Sequence, residues 1–327
     1  MSITKLNLFE EIAGAKRIGI AGHVSPDGDC IGSCMAIYEY LKTESEVLGI
    51  EEIDIYLDPI PNEFRILKNT EVINNSFEVN QTHDVFITLD CGSVDRLGDV
   101  QELFSKAKKT INIDHHISNN KFGDVNYVIP TASSTCEVLY GLFEEKRITK
   151  QIAENLYVGI VHDTGVFKHS NTTSRTMEVA GNLINKGIEF SKLIDETFYQ
   201  RTFMQNQLLG RCLMESFLIL DGKVIVSVVE RKTLNFYGAT SSDTDGIIDQ
   251  LRETRGIEVA IFIYEIEANI YKVSMRSNGD VNVSEIAVYF GGGGHIKAAG
   301  CTMYGTLHDV INNLTPNIEA QIMGNRG

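Results

Sequence analysis

The sequence predicts an α/β protein in two parts: an N-terminal parallel sheet with flanking helices, then a smaller C-terminal α/β domain. Three observations carry this reading. In the first half, β-rich runs alternate with stretches of 3.6-residue apolar periodicity. After about residue 190 the pattern changes to paired β-runs around tight turns. The length of 327 residues matches two domains at roughly 150 residues each, with two cores and room for a cleft.

Taken in order, RIGIAG (17–22), IDIYL (53–57), VFITLD (85–90) and TINID (110–114) read as strands. The segments between them are long enough for helical crossovers, which makes the strands parallel. Near Asp29 a helix begins, with Ile31, Met35, Tyr38 and Leu41 on one face, and further helices are expected at 133–146, 150–163 and 173–186. Lys186-Gly187 stops the last of these. FLILDGKVIVSVV (217–229) forms a hairpin around Asp221-Gly222, and VAIFIY (259–264) with IYKVSMR (270–276) forms a second antiparallel pair. The expected domains are 1–187 and 205–327, joined by a linker or polar helix over 188–204.

A net charge of −15 with 43% hydrophobic residues is an ordinary folded composition. It excludes long-range attraction to duplex nucleic acid or an anionic membrane, so a polyanionic ligand must be held by a few local cations or metals. The N-terminal stretch MSITKLNLFEEIAGAKRIG lacks the apolar core of a signal peptide. No apolar run approaches the roughly 18 residues of a membrane span, and a cytoplasmic protein is expected. Cys30, Cys34, Cys91, Cys136, Cys212 and Cys301 are scattered without a CxxC pair and read as buried small hydrophobes.

Four clusters carry the chemistry: His23-Val-Ser-Pro-Asp27-Gly-Asp29, Asp90 closing VFITLD, Asp114-His115-His116 closing TINI, and Asp163 in GIVHDTG. Singly, each reads as a turn, a helix cap or a solvated histidine. Together they point to one site, because three follow predicted strands and the carboxyl ends of strands in an open α/β sheet line one crevice. Carboxylates with two histidines are the ligand set of a divalent cation and favour Mn²⁺ over Mg²⁺. Five carboxylates at one sheet edge repel one another unless about four positive charges offset them, which two such ions supply. In the second half, Gly291 to Gly294 precede His295 at what reads as a helix start, a segment whose backbone N–H groups suit an anion. Arg276-Ser277, at a strand end, suits the same anion.

With these motifs assembled, the sequence resembles the DHH/DHHA1 phosphoesterase family, and within it the two-domain bacterial members acting on short oligoribonucleotides and on 3′,5′-bisphosphate nucleotide (pAp). The resemblance spans HVSPDGDCIGS (23–33), LDCGSVDRLG (89–98), DHH (114–116), VHDTGVFKHSNTT (161–173), MRSNGDVNVSEIA (275–287) and GGGGHIKAAG (291–300). It implies a DHH catalytic domain, a DHHA1 substrate-binding domain and an active site in the cleft between them. His23, Asp27 and Asp90 resemble the ligands of one Mn²⁺, and Asp29, Asp90, His115 and Asp163 those of a second, with Asp90 bridging. Mg²⁺ or Co²⁺ are substitutes. His116 then faces the scissile phosphate and Asp114 orients His115. Arg276, Ser277, Gly292, Gly293, Gly294 and His295 resemble the substrate-binding residues.

The resemblance further implies hydrolysis of oligoribonucleotides of two to five residues to mononucleotides, and of pAp to AMP, through a hydroxide held between the metals. Cys91 and His162 depart from the small or hydroxyl residues expected beside the ligands. Related activities are a manganese pyrophosphatase, which needs a second domain rich in lysine and arginine, and a RecJ-type exonuclease, which needs additional domains. Two alternatives remain: a phosphodiesterase for linear or cyclic dinucleotides such as pApA, and a non-catalytic nucleotide sensor, which the intact ligand set disfavours. No duplex or membrane partner is expected, and a homodimer is left open.

Overall fold

A computed structural model describes residues 5–78 and 82–324. The chain divides into two compact units between Gln200 and Arg201.

The first unit is built on six strands: β1 (Arg17–Ala21), β2 (Glu52–Tyr56), β3 (Ile73–Asn74), β4 (Val85–Leu89), β5 (Thr110–Asp114) and β6 (Val125–Val128). All pair in parallel, in the order β3-β2-β1-β4-β5-β6. Strand alternation sends Ile18, Ile20, Ile87 and Ile111 to one face, where helices Gly28–Leu48, Thr135–Leu142 and Lys150–Asp163 cover them with residues such as Met35, Leu139 and Leu156. Phe86, Tyr56 and Ala21 go to the other face, against Leu97, Val100 and Phe104. From β1 the chain builds outward through β2 and β3, then returns to the other side of β1 with β4. That reversal opens a crevice at the carboxyl ends of β1 and β4, where ligands bind in doubly wound sheets.

The second unit has β7 (Phe217–Ile219), β8 (Val224–Val229), β9 (Val259–Glu267), β10 (Ile270–Ser277), β11 (Gly293–His295) and β12 (Ala298–Tyr304), in the order β11-β12-β10-β9-β8-β7. Only β8 and β9 pair in parallel; helices Arg231–Tyr237 and Ile247–Arg252 lie between them in sequence. Alternate residues of β8 and β9 feed two separate cores.

The expected hairpin over 217–229 and the antiparallel pair over 259–276 are present. Four strands were not foreseen: β3 and β6 are too short to show periodicity, and β11 and β12 lie in and just after the glycine run that was read as leading into a helix start. His295 therefore sits in an edge strand and does not start a helix. The helix expected over 133–146 stops at Leu142, because Phe143 turns to extended backbone and stacks its buried ring on Tyr40, centroids 3.9 Å apart. Among the described residues no helix is long and apolar enough to cross a membrane.

Candidate metal centre

Each ligand candidate is delivered by an element end. After β1, Gly22 allows a close turn: a Cβ there would stand 2.1 Å from the Cys30 sulfur. His23 follows, buried. Asp27 caps helix Gly28–Leu48, its Oδ1 accepting from the backbone N–H of Asp29 and of Cys30, both at 3.1 Å. Asp29, in the first turn, is fully buried. Asp90 is the residue after β4 and adopts φ +54°, a left-handed conformation that Asp tolerates better than most side chains. Its N–H still donates to the Ile113 carbonyl at 3.2 Å, so the strand ends in a fixed kink. Asp114 closes β5, and Asp163 closes helix Lys150–Asp163.

These ends converge. His23 Nε2 lies 3.7 Å from Asp27 and 3.5 Å from Asp90. His115 Nε2 lies 3.6 Å from Asp90 and 3.1 Å from Asp163. His23, Asp27 and Asp90 form one group with ligand atoms within 4.8 Å of one another, and Asp29, His115 and Asp163 form another. Asp90 and His115 also group with His116.

The electrostatics fit a cation. Among the described residues the ion partners of Asp90 and Asp163 are histidines. Burial lifts the Asp29 carboxyl well above its ordinary value, and the charges of Asp90 and Asp163 add to it, although Cys136 N–H opposes them. Asp163 is pushed up to about 8, by burial and then by Asp90 and Asp27. Burial pulls the His23 imidazole down, but the Asp27 and Asp90 carboxylates that face its Nε2 outweigh it and carry it to about 12. Without a metal this cluster holds protons in place of cations. The donor set of carboxylate oxygens and imidazole nitrogens suits a divalent ion, and His23 Nδ1 is 2.9 Å from the Val24 carbonyl, which leaves Nε2 for a metal.

Asp114 was expected to orient His115; it takes His116 instead. His116 Nδ1 lies 2.7 Å from Asp114 Oδ1, while His115 presents only its backbone N–H to Asp114, at 2.8 Å, and turns its ring toward the Ala132 carbonyl. Asn119 donates to the other Asp114 oxygen at 2.6 Å. The Asp114 hydrogen bond is the main reason His116 rises to about 9. His162 stands outside these groups: it packs between Phe64 and Phe198, bonds Thr197, and burial lowers it to about 4. The Cys91 thiol is within hydrogen-bond reach of the Ser93 carbonyl and is raised by burial to about 12.

Three residues escaped the sequence reading. Thr135 is fully buried at a helix start, its N–H 2.6 Å from Asp29 and its hydroxyl 3.0 Å from Asp90. Gly159 leaves space for Asp29, since a Cβ there would stand 2.7 Å from Asp29 Oδ1. Arg96 places Nη2 3.1 Å from His23 Nδ1. No sequence period marks such tertiary approaches.

In the second unit, Arg276 and His295 both pair with Ala298, on the two strands flanking it. They share one rung and one sheet face, since directly paired residues point the same way. Arg276 is also 3.4 Å from Asp249. Ser277 is buried and bonds the Gly279 carbonyl. Gly292 admits no side chain, because a Cβ would stand 2.2 Å from the Gly300 carbonyl, and Gly294 has φ +144°. Gly293 is exposed on β11.

Comparison with known proteins places both halves of the chain in known domain families. The DHH family N-terminal domain matches residues 17–160, and the DHHA1 domain matches residues 221–323. A Thermus thermophilus protein named bifunctional oligoribonuclease and PAP phosphatase NrnA is 32% identical over 306 residues, covering 92% of this chain and 89% of its own. A Bacillus subtilis protein of the same name is 30% identical over 305 residues, covering 92% and 93%. The crystal structure of an exopolyphosphatase-related protein from Bacteroides fragilis shares the fold with a TM-score of 0.87 at 22% identity, covering 96% of this chain and 94% of that one. On the strength of both domains and of relatives matched along nearly their whole length, the chain belongs to the DHH/DHHA1 family of phosphoesterases.

Proposed function

We propose that this protein hydrolyses oligoribonucleotides of two to five residues to mononucleotides and pAp to AMP, with two Mn²⁺ ions. The observation that carries the reading is the meeting of His23, Asp27, Asp29, Asp90, His115 and Asp163 at one sheet crevice, where crowded carboxylates take up protons that a bound cation would replace. The names of the relatives supply the substrate class. His23, Asp27 and Asp90 would hold one ion, and Asp29, Asp90, His115 and Asp163 the other. When bound, the ions would supply Lewis-acid chemistry, activating the attacking water and neutralising charge on the phosphoryl oxygens.

The remaining work falls to the chain. Asp114 fixes the His116 ring through Nδ1, leaving Nε2 to give its proton to the departing oxygen, and the Asp114 carboxylate favours the protonated ring. Arg276, Ser277, Gly292, Gly293, Gly294 and His295 grip a neighbouring phosphate or nucleotide so that binding energy positions the scissile bond.

A panel of pAp, pApA, pGpG and oligoribonucleotides of graded length, each with Mn²⁺ and with chelator, tests the reading. Metal-dependent turnover highest for pAp and for two to five residues is expected. Faster turnover of pApA than of every other substrate would move the assignment to a dinucleotide phosphodiesterase, and no metal-dependent turnover would overturn it.

A further inference from the structure

We propose that Arg96 is the cation by which the first unit holds the phosphate of the substrate at the metal centre, an inference that rests on the metal-dependent reading above. The position of its backbone is firm. The Arg96 carbonyl accepts from Val24 N–H at 2.8 Å, and its own N–H donates to Ser93 at 3.1 Å, so the residue is tied to the segment that carries His23. Its guanidinium reaches the same imidazole, 3.1 Å from Nδ1.

That contact does not satisfy the arginine. His23 Nδ1 also lies 2.9 Å from the Val24 carbonyl, which can only accept. One ring nitrogen cannot both donate to that carbonyl and accept from Arg96, and it could take at most one of the five guanidinium donors. Among the described residues no carboxylate lies within ion-pair distance of the guanidinium, although the neighbouring site is built from aspartates. An exposed arginine with five donors and no acceptor, beside a centre that must receive a phosphate in a chain of net charge −15, has the chemistry of a bidentate phosphate clamp. A phosphate monoester or diester is the ligand it fits.

The test measures inorganic phosphate binding to Mn²⁺-loaded protein by calorimetry, for the wild type, Arg96→Ala and Arg96→Lys, with Mn²⁺ binding measured separately on each. Loss of a charge-assisted pair should weaken phosphate binding on the order of ten- to a hundredfold in Arg96→Ala. Arg96→Lys, which keeps the charge and loses the fork, should fall in between, and Mn²⁺ affinity should stay within about twofold. With pAp as substrate, KM should rise more than kcat falls. Unchanged phosphate affinity in both variants would overturn the proposal, as would a loss of Mn²⁺ affinity parallel to the loss of phosphate binding, which would make Arg96 a positioning residue for His23. Because phosphate binding is read directly, a wild type that ignores pAp but binds Mn²⁺ and phosphate would refute the substrate assignment and not this one.

Discussion

Gly159→Ala probes how closely the ligand scaffold is packed. Gly159 lies in the helix that ends at Asp163, and an added Cβ would stand 2.7 Å from Asp29 Oδ1, 2.2 Å from the Cys136 sulfur and 3.0 Å from Cys136 Cβ, where 3.4–4 Å is ordinary contact. Asp29 cannot retreat, because both its oxygens are held by backbone N–H groups, of Thr135 at 2.6 Å and of Cys136 at 2.9 Å. The helix must therefore shift by roughly 1 Å, which costs about 1–3 kcal/mol as overpacking. Alanine returns about 1 kcal/mol in helix propensity, so a net loss of up to about 2 kcal/mol is expected. For a unit of this size that is a fall in Tm of up to about 8 °C. The larger effect should be on the metal: a displaced Asp29 should weaken Mn²⁺ binding roughly 10- to 100-fold. Calorimetric Mn²⁺ titration and thermal melts with and without Mn²⁺ measure both. Gly181→Ala is the control, since a Cβ there meets nothing within 4 Å and should leave both readouts at wild type or slightly more stable. Adding Cys136→Ala to Gly159→Ala removes the 2.2 Å clash but not the contact with Asp29, so stability should recover further than metal affinity. A Gly159→Ala protein with wild-type Tm and wild-type Mn²⁺ affinity would refute the reasoning.

Asp90→Asn keeps a side chain suited to φ +54° and removes the charge shared by both ligand groups; turnover should fall at least about a thousandfold while the metal-free Tm is kept, as a Mn²⁺-dependent assay and melts in chelator would show. His116→Ala should lower kcat with both metal equivalents retained, and loss of one Mn²⁺ by calorimetry would instead make His116 a ligand, as its proximity to Asp90 permits. His295→Ala should reduce kcat/KM for dinucleotides and pAp far more than for a generic aryl phosphodiester, with equal losses counting against an anchoring role. In chelated protein, Asp163 keeps a proton up to about pH 8 that the unfolded chain releases near 3.8, so the unfolded state binds fewer protons and stability should fall as pH rises from about 4 to about 8. Asp29 shifts in the same direction, and excess Mn²⁺, which takes the ionised carboxylates, should flatten or reverse the trend in melts across that range.

The central strands and the convergence of the Asp and His clusters were legible in the sequence for one reason. β1, β4 and β5 are short apolar runs that end in polar residues of unmistakable chemistry, and a parallel sheet brings such ends together. Edge strands β3 and β6 have two and four residues, below what periodicity can show, and β11 was hidden because consecutive glycines before His295 carry no strand pattern and read as leading into a helix. Thr135, Arg96 and Gly159 were invisible for a different reason: each acts through an approach between segments far apart in the chain, and their own neighbours carry no trace of it. The exchange of Asp114 from His115 to His116 is of that kind, since adjacent histidines differ only in which way the backbone turns them.

The order of the ligands along the chain also has a consequence for biosynthesis. His23, Asp27 and Asp90 come from the first strands to leave the ribosome, whereas Asp163 arrives with a helix that follows the completed sheet. At roughly 5–20 residues per second, the nascent protein spends several seconds with the His23 group translated and Asp163 still unmade. Until then the early carboxylates have no Asp163 beside them, so a premature stop between residues 91 and 163 yields a chain that retains the His23 group and can never complete the second one.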